Sequence, residues 1–231
     1  MTSRILIKIG GLAFEGENGF KDLAQAIRSI QHAEIIIVHG GGAEISQALK
    51  DADRESVFID GIRITQAEDI KIVENVLSET INRRISGWLS ENGVPCSSMS
   101  GKTKRLFMVE LLRRQGHDFG FVGKIRQSYN VNADSAAAAL AAAARCSDLV
   151  FITDVPGVLV EERICRSLTV QKAKALIADS TIKGGMVAKM ESAFEALDNK
   201  VPRVHIVQWQ GPGTLENIIT GNFTTGTTIH K

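Results

Sequence analysis

Four short apolar runs, each too brief for a helix, restrict this chain more than any other feature. They occupy residues 5–9 (ILIKI), 35–38 (IIIV), 149–153 (LVFIT) and 204–207 (VHIV). Runs of this length, rich in β-branched residues and with little polar alternation, fit strands covered on both faces. Longer stretches at 20–30, 43–49, 67–88 and 170–177 carry apolar residues at helical spacing. Strands alternating with helices predict an α/β fold, a three-layer αβα sandwich around a mainly parallel central sheet. The alanine-rich block 136–144 follows Asp134 and Ser135, either of which suits an N-cap. It is therefore read as a tightly packed helix.

Composition removes several classes. The chain has 231 residues, which suits one large α/β domain or two small ones, and 44% of them are hydrophobic, enough for a sizeable core. Lysine and arginine number 27 against 26 acidic residues. That balance gives no reason to expect a nucleic-acid partner. Cys96, Cys146 and Cys165 are widely spaced and form no C-x-x-C pair. They read as ordinary thiols of a cytoplasmic protein, not as a disulfide framework or zinc site. The opening MTSRILIKIGG is too short and too charged for a secretory signal. No apolar run approaches the roughly 18 residues of a membrane span.

Four places look chemical. Lys8-Ile9-Gly10-Gly11 ends the first strand. A lysine among apolar neighbours is costly to bury unpaired, but is tolerable at a sheet edge facing an anion. His39-Gly40-Gly41-Gly42 leads from the second strand into a helix, where exposed backbone N–H groups and the positive helix end suit an anion. It is not G-x-G-x-x-G, because Ile45 stands at the last position. Asn130, Asn132 and Asp134 fall on one side if their segment is extended. Gly184-Gly185 opens a helix that carries Lys189. Each place has an architectural alternative: a strand-end lysine, a tight turn, a capped helix start, a solvated loop. Two further matches fail. Gly101-Lys102-Thr103 ends like a P-loop, but Cys96 stands where its first glycine belongs. Asp118-Phe119-Gly120 has no accompanying H-R-D or V-A-I-K segment.

In order, KIGG (8–11), VHGGG (38–42), DGIRIT (60–65), NVNADSAA (130–137), TDVPGVL (153–159) and KGGMVAK (183–189) resemble the amino acid kinase family. Each is weak alone, but together they span nearly the whole chain. NVNAD with the upstream GIRIT is most similar to members that phosphorylate N-acetyl-L-glutamate, and so is GHDFGFVGKI (116–125). The resemblance implies a single domain over 1–231 with an eight-stranded sheet. Residues 1–135 would form the substrate-binding part and 136–231 the ATP-binding part. The implied reaction moves the γ-phosphoryl of ATP to the side-chain carboxylate of N-acetyl-L-glutamate, in arginine biosynthesis. The family alternatives are a relative acting on another carboxylate or carbamate, and an inactive ATP-binding regulatory homologue.

By the same resemblance, Lys8 and Lys189 neutralise the transferring phosphoryl group and Asp134 holds both lysines. Gly11 and Gly41 give N–H groups to phosphoryl oxygens, and Gly41 and Gly42 shape the substrate pocket. Arg63 takes the substrate α-carboxylate, and Asn130 contacts the substrate amide or carboxylate. Gly10, Gly11, Asp154, Val155, Pro156, Gly157, Val158, Leu159, Thr181, Ile182 and Lys183 line ATP. Mg²⁺ rides on ATP oxygens and water, with no metal site made of side chains. The resemblance also implies a homodimer; the helix that links arginine-inhibited members into hexamers has no counterpart before the first strand. One joint departs from the family. Between GKI and NVNAD there is no room for the helix and strand hairpin expected there, since a parallel crossover takes a dozen or more residues. The expectation is that these residues are missing from the sequence and that the protein has the complete sheet.

Overall fold

A computed structural model describes residues 3–10, 17–59, 62–103, 110–114, 117–124, 131–222 and 225–231. The chain divides into two compact units. One comprises Met1–His39, Asn92–Val94 and Ala133–Lys231; the other comprises Gly40–Glu91 and Pro95–Asn132.

The first unit holds a six-stranded sheet in the order Ser167–Thr169, Thr227–His230, Arg203–Gln208, Asp148–Thr153, Ser3–Ile9, Ala33–His39. All four predicted strands are in it: β1 (Ser3–Ile9), β2 (Ala33–His39), β7 (Asp148–Thr153) and β11 (Arg203–Gln208). These four pair in parallel, Ile5 standing opposite both Ile35 and Asp148. Two short strands complete it, β10 (Ser167–Thr169) and β12 (Thr227–His230), with β12 antiparallel to β11.

Side-chain alternation assigns the two faces. Leu6, Leu149, Phe151, Val204 and Ile206 pack with Ala137, Ala138 and Ala141 of α5 (Ala133–Ala143) and Met190, Ala193 and Leu197 of α7 (Gly185–Asp198). The alanines let α5 lie close to the sheet. The alternate residues Ile5, Ile7, Val150, Ile152 and Val207 are equally buried. So are Leu23 of α1 (Glu17–Ser29) and Leu215 and Ile218 of α8 (Gly213–Thr220), two helices that touch each other. The helix predicted at 170–177 is α6 (Val170–Ala178), capped by the Thr169 hydroxyl, which accepts from the Lys172 N–H.

The second unit contains α2 (Gly42–Asp51), the hairpin of β3 (Phe58–Ile59) and β4 (Ile62–Arg63), and the antiparallel pair β5 (Glu110–Arg114) and β6 (His117–Lys124). The helix predicted at 67–88 is interrupted. It runs as α3 (Ile70–Glu74), a π-helical segment (Asn75–Ile81) and α4 (Asn82–Glu91). Gly120 bridges Thr65 with φ of +65°, and a Cβ there would stand 2.4 Å from the Thr65 carbonyl oxygen. Only glycine fits.

Three expectations change. The main sheet has six strands among the described residues, where eight were expected. The helix and strand hairpin expected to be missing would fall on the joint between β6 and α5. Residues 125–130 lie outside the described residues. Residues 35–38, expected to be covered on both faces, are half-buried, and among the described residues β2 is the last strand of its sheet. Asp134 is not an N-cap: α5 begins at Ala133, placing Asp134 in its first turn and ending any extended segment there.

Candidate active site

In the sheet-bearing unit, Lys8 lies one residue before the end of β1, on the Leu6 face of the sheet. Lys189 sits in the early turns of α7 and Asp134 in the first turn of α5. Lys8 Nζ is 2.7 Å from Asp134 Oδ1, and Lys189 Nζ donates to Asp134 Oδ2 at 2.8 Å. The three side chains are only 11%, 14% and 12% exposed, in the order Lys8, Asp134, Lys189. Lys189 also lies over the Phe151 ring, 5.1 Å from its centroid, a cation–π contact that fixes it further. Burial works to raise the Asp134 pKa, but the two ammonium groups outweigh it and hold the carboxyl below its ordinary value. One carboxylate thus stands between two cations, and the cluster keeps a net positive charge in a partly dry place at the carboxyl ends of parallel strands. That is the setting in which α/β sheets bind ligands, and it suits an anion. Gly10 follows directly, its N–H donating to the Ile152 carbonyl at 3.2 Å.

The residues expected to line a nucleotide leave β7 and join α6 to α7 in this same unit. Asp154, Leu159, Thr181 and Lys183 are exposed, whereas Val155 and Pro156 are half-buried. Gly157 is buried. Val158 and Ile182 belong to the hydrophobic core, so only their backbone is left to face a ligand. The Val158 N–H donates to the Thr227 hydroxyl at 2.8 Å and the Ile182 N–H to the Leu176 carbonyl at 2.8 Å, pinning both loops.

The second unit holds the glycine turn and Arg63. A Cβ on Gly41 would stand 2.3 Å from Ile81 Cδ1 and 3.0 Å from Leu77 Cδ2, both on the π-helical segment. The steric demand for glycine at 41 therefore comes from the protein's own packing. A Cβ on Gly42 would meet nothing within 4 Å, and Gly42 is exposed at the start of α2. Arg63 is 7% exposed. Its Nη2 donates to the Gly42 carbonyl and to Ser46 Oγ, each at 2.8 Å, its Nη1 donates to Ser56 Oγ, and its guanidinium lies 4.6 Å from the Phe58 ring centroid. Burial pushes its pKa below the ordinary value, and Asp69 holds it partway up. No carboxylate pairs with Arg63 among the described residues. Two expected site residues, Gly11 and Asn130, lie outside the described residues.

Sequence reasoning missed Ser46, Ser56, Phe58 and Phe151. Ser46 had a signal, one helical turn after Gly42; the others had none without the arginine and lysine they touch.

Known proteins give the same assignment. The model of the amino acid kinase family matches residues 3–208. A curated acetylglutamate kinase of Rhodopseudomonas palustris is 34% identical, covering 98% of this chain and 90% of the relative. One of Geobacillus stearothermophilus is also 34% identical, covering 100% of this chain and 98% of the relative. The crystal structure of smu.665 from Streptococcus mutans superposes with a TM-score of 0.81 at 25% identity, covering 100% of this chain and 99% of that one. The chain belongs to the amino acid kinase family. The alignment with the Rhodopseudomonas enzyme runs over 268 positions, more than this chain has, so that relative carries residues without a counterpart here.

Proposed function

We propose that this protein transfers the γ-phosphoryl group of ATP to the side-chain carboxylate of N-acetyl-L-glutamate, yielding N-acetyl-L-glutamyl 5-phosphate and ADP in arginine biosynthesis. The observation that carries this reading is the Lys8–Asp134–Lys189 cluster, a net positive charge held by half-buried ion pairs in a chain whose full-length relatives are acetylglutamate kinases. An ionised carboxylate is already a nucleophile, so the reaction requires no general base. One carboxylate oxygen forms a bond to Pγ, the bond from Pγ to the β,γ-bridging oxygen breaks, and ADP leaves with that oxygen. The protein's part is positioning and charge stabilisation.

Each residue then has a role. Lys8 and Lys189 stabilise charge on the phosphoryl oxygens, and Asp134 keeps both ammonium groups aimed. Gly11 and Gly41 offer N–H groups to the phosphoryl oxygens. Arg63 receives the α-carboxylate, Asn130 the amide or carboxylate, and Gly41 and Gly42 bound the acceptor pocket. Gly10, Gly11, Asp154–Leu159 and the loop at 181–183 receive ATP. Residues 1–135 serve mainly the acceptor and 136–231 mainly the nucleotide. Among the described residues no three His, Cys, Asp or Glu side chains gather as a metal site. Mg²⁺ enters on the ATP phosphates, which supply most of its ligands together with water. No helix among the described residues is long and apolar enough to cross a membrane. Free Cys96, Cys146 and Cys165 fit a cytoplasmic enzyme, and a homodimer is the assembly proposed.

The test is hydroxylamine trapping with MgATP and N-acetyl-L-glutamate, run beside free glutamate and aspartate. Hydroxamate from N-acetyl-L-glutamate alone supports the reading. Product from another carboxylate reassigns the substrate, and ATP binding without product from any carboxylate overturns the enzymatic reading. Light scattering that gives a monomer or hexamer mass would overturn the dimer.

A further inference from the structure

Arg63 is held by groups that fix its direction without neutralising its charge. The Gly42 carbonyl and the Ser46 and Ser56 hydroxyls are all uncharged acceptors, and Phe58 covers one face of the guanidinium. Ser46 Oγ in turn donates to the Gly42 carbonyl at 2.9 Å, closing a triangle of hydrogen bonds among Arg63, Ser46 and the end of the glycine turn. Asp69, the carboxylate whose charge acts on Arg63, is itself paired with Arg54. A structural arginine this buried ordinarily meets a carboxylate. Here it meets hydroxyls, a carbonyl and a ring, so its charge remains available to an incoming anion.

We propose that Ser46, Ser56 and Phe58 are positioning residues of the acceptor site: they set the Arg63 guanidinium in place before the substrate α-carboxylate arrives, and Ser46 couples it to the glycine turn. This rests on the reading of Arg63 as the α-carboxylate receptor. The physical gain is preorganisation. A free arginine has many rotamers to lose on binding, and a caged one has already lost them. The three groups divide the task. Ser46 and Ser56 hold the two terminal nitrogens and thereby the rotation of the fork in its plane. Phe58 holds the tilt of that plane, even though the residue is 52% exposed. An exposed aromatic on a two-residue strand gains little from burial, and a stacked arginine accounts for its presence.

The experiment compares the full-length protein with Ser46→Ala, Ser46→Thr, Ser56→Ala, Phe58→Leu, Arg63→Ala and the Ser46→Ala/Arg63→Ala double variant. It reads kcat, KM for N-acetyl-L-glutamate, KM for ATP, Tm, and the calorimetric Kd for N-acetyl-L-glutamate, which needs no turnover. Ser46→Ala is expected to raise KM and Kd for the acceptor about tenfold, the scale of one charge-assisted hydrogen bond. The KM for ATP should stay within twofold. Ser46→Thr, which keeps the hydroxyl, should restore most of the loss. In the Arg63→Ala background, Ser46→Ala should add nothing, because its effect passes through the arginine. Equal losses for ATP and acceptor with a lowered Tm, or a full Ser46→Ala effect without Arg63, overturn the proposal. If Arg63→Ala weakens the acceptor and none of the cage variants does, the cage alone falls. If Arg63→Ala leaves KM and Kd unchanged, the reading of Arg63 falls and the cage with it.

Discussion

The two regions that carry buried cations treat them in opposite ways. In the sheet-bearing unit, Lys8 and Lys189 share Asp134, and three charged side chains form one fixed set. In the other unit, Arg63 is oriented by neutral acceptors and an aromatic ring, with no carboxylate among its hydrogen-bond partners. An ammonium group is a compact charge on a flexible stem, and a shared anion fixes two of them at once. A guanidinium is a planar fork whose direction can be set through neutral contacts. The difference suits the ligands proposed for them. A phosphoryl group in transfer spreads charge over several oxygens and needs cations at set positions. A substrate carboxylate needs one whole positive charge that nothing else has claimed.

The sharpest way to break this comparison is Asp134→Asn. It strands two ammonium groups in a place only a little over a tenth exposed, so the cost to stability is about 3–5 kcal/mol by the usual penalty for breaking a buried pair. The kcat should fall by about 10²–10³, the scale of losing preorganised charge. A chemical-denaturation curve and a steady-state assay check both. Wild-type kcat in this variant would remove Asp134 from the mechanism. Lys8→Ala should leave one lysine with the carboxylate and lose activity with a smaller loss of stability.

Arg63→Lys tests the other side. The charge stays but the fork and the stacking go, so KM for the acceptor should rise by about 10–100-fold with KM for ATP unchanged. A lysine that served equally well would show that only charge matters there.

Next in size is the contrast within the glycine turn. Gly41→Ala drives a methyl group against Ile81 and Leu77, the movable ends of two side chains, and should lower Tm by several degrees, an overpacking cost of about 1–3 kcal/mol. Gly42→Ala meets open space, so its Tm should stay near wild type while KM for the acceptor rises if a ligand occupies that space. Equal Tm losses in both variants would contradict the packing described for the π-helical segment.

The smallest expected effect is on pH dependence. The Asp134 carboxyl lies below its unfolded value of 3.8, so its stabilisation is complete above that pH and is lost as pH falls through the lower, folded value. Asp148 behaves alike. Burial works to raise its pKa, but hydrogen bonds from His205, Arg203 and Ser147 outweigh it and depress the carboxyl. Urea titrations should therefore show stability falling below about pH 4. Asp134→Asn should flatten part of that slope; an unchanged slope would mean that the ion pairs do not govern acid unfolding.

Much of the sheet was legible because a buried strand is written locally. Residues 5–9, 149–153 and 204–207 are mostly apolar runs, as a segment buried on both faces requires. The glycine turn and the lysines were visible as residue types, and the ordered motifs pointed to the family. Less legible was the π-helical segment. Its residues keep an ordinary helical spacing, so nothing in the pattern marks the wider turn. Most of the Arg63 cage was also illegible: Ser56 and Phe58 show no pattern without the arginine, and Ser46, although one turn after Gly42, is 17 residues from the arginine it holds.

By itself the sequence determined the strand and helix periods, the family, and which side chains carry charge, because these depend on local pattern and residue type. Only tertiary structure decided how the charges pair. Lys189 and Asp134 are 55 residues apart, and their meeting follows from α5 and α7 packing on the same face of the sheet. It also decided that the demand at Gly41 is internal while Gly42 stays open. Such contacts depend on distances in space, and a chain's local preferences do not encode which distant surfaces will bury one another.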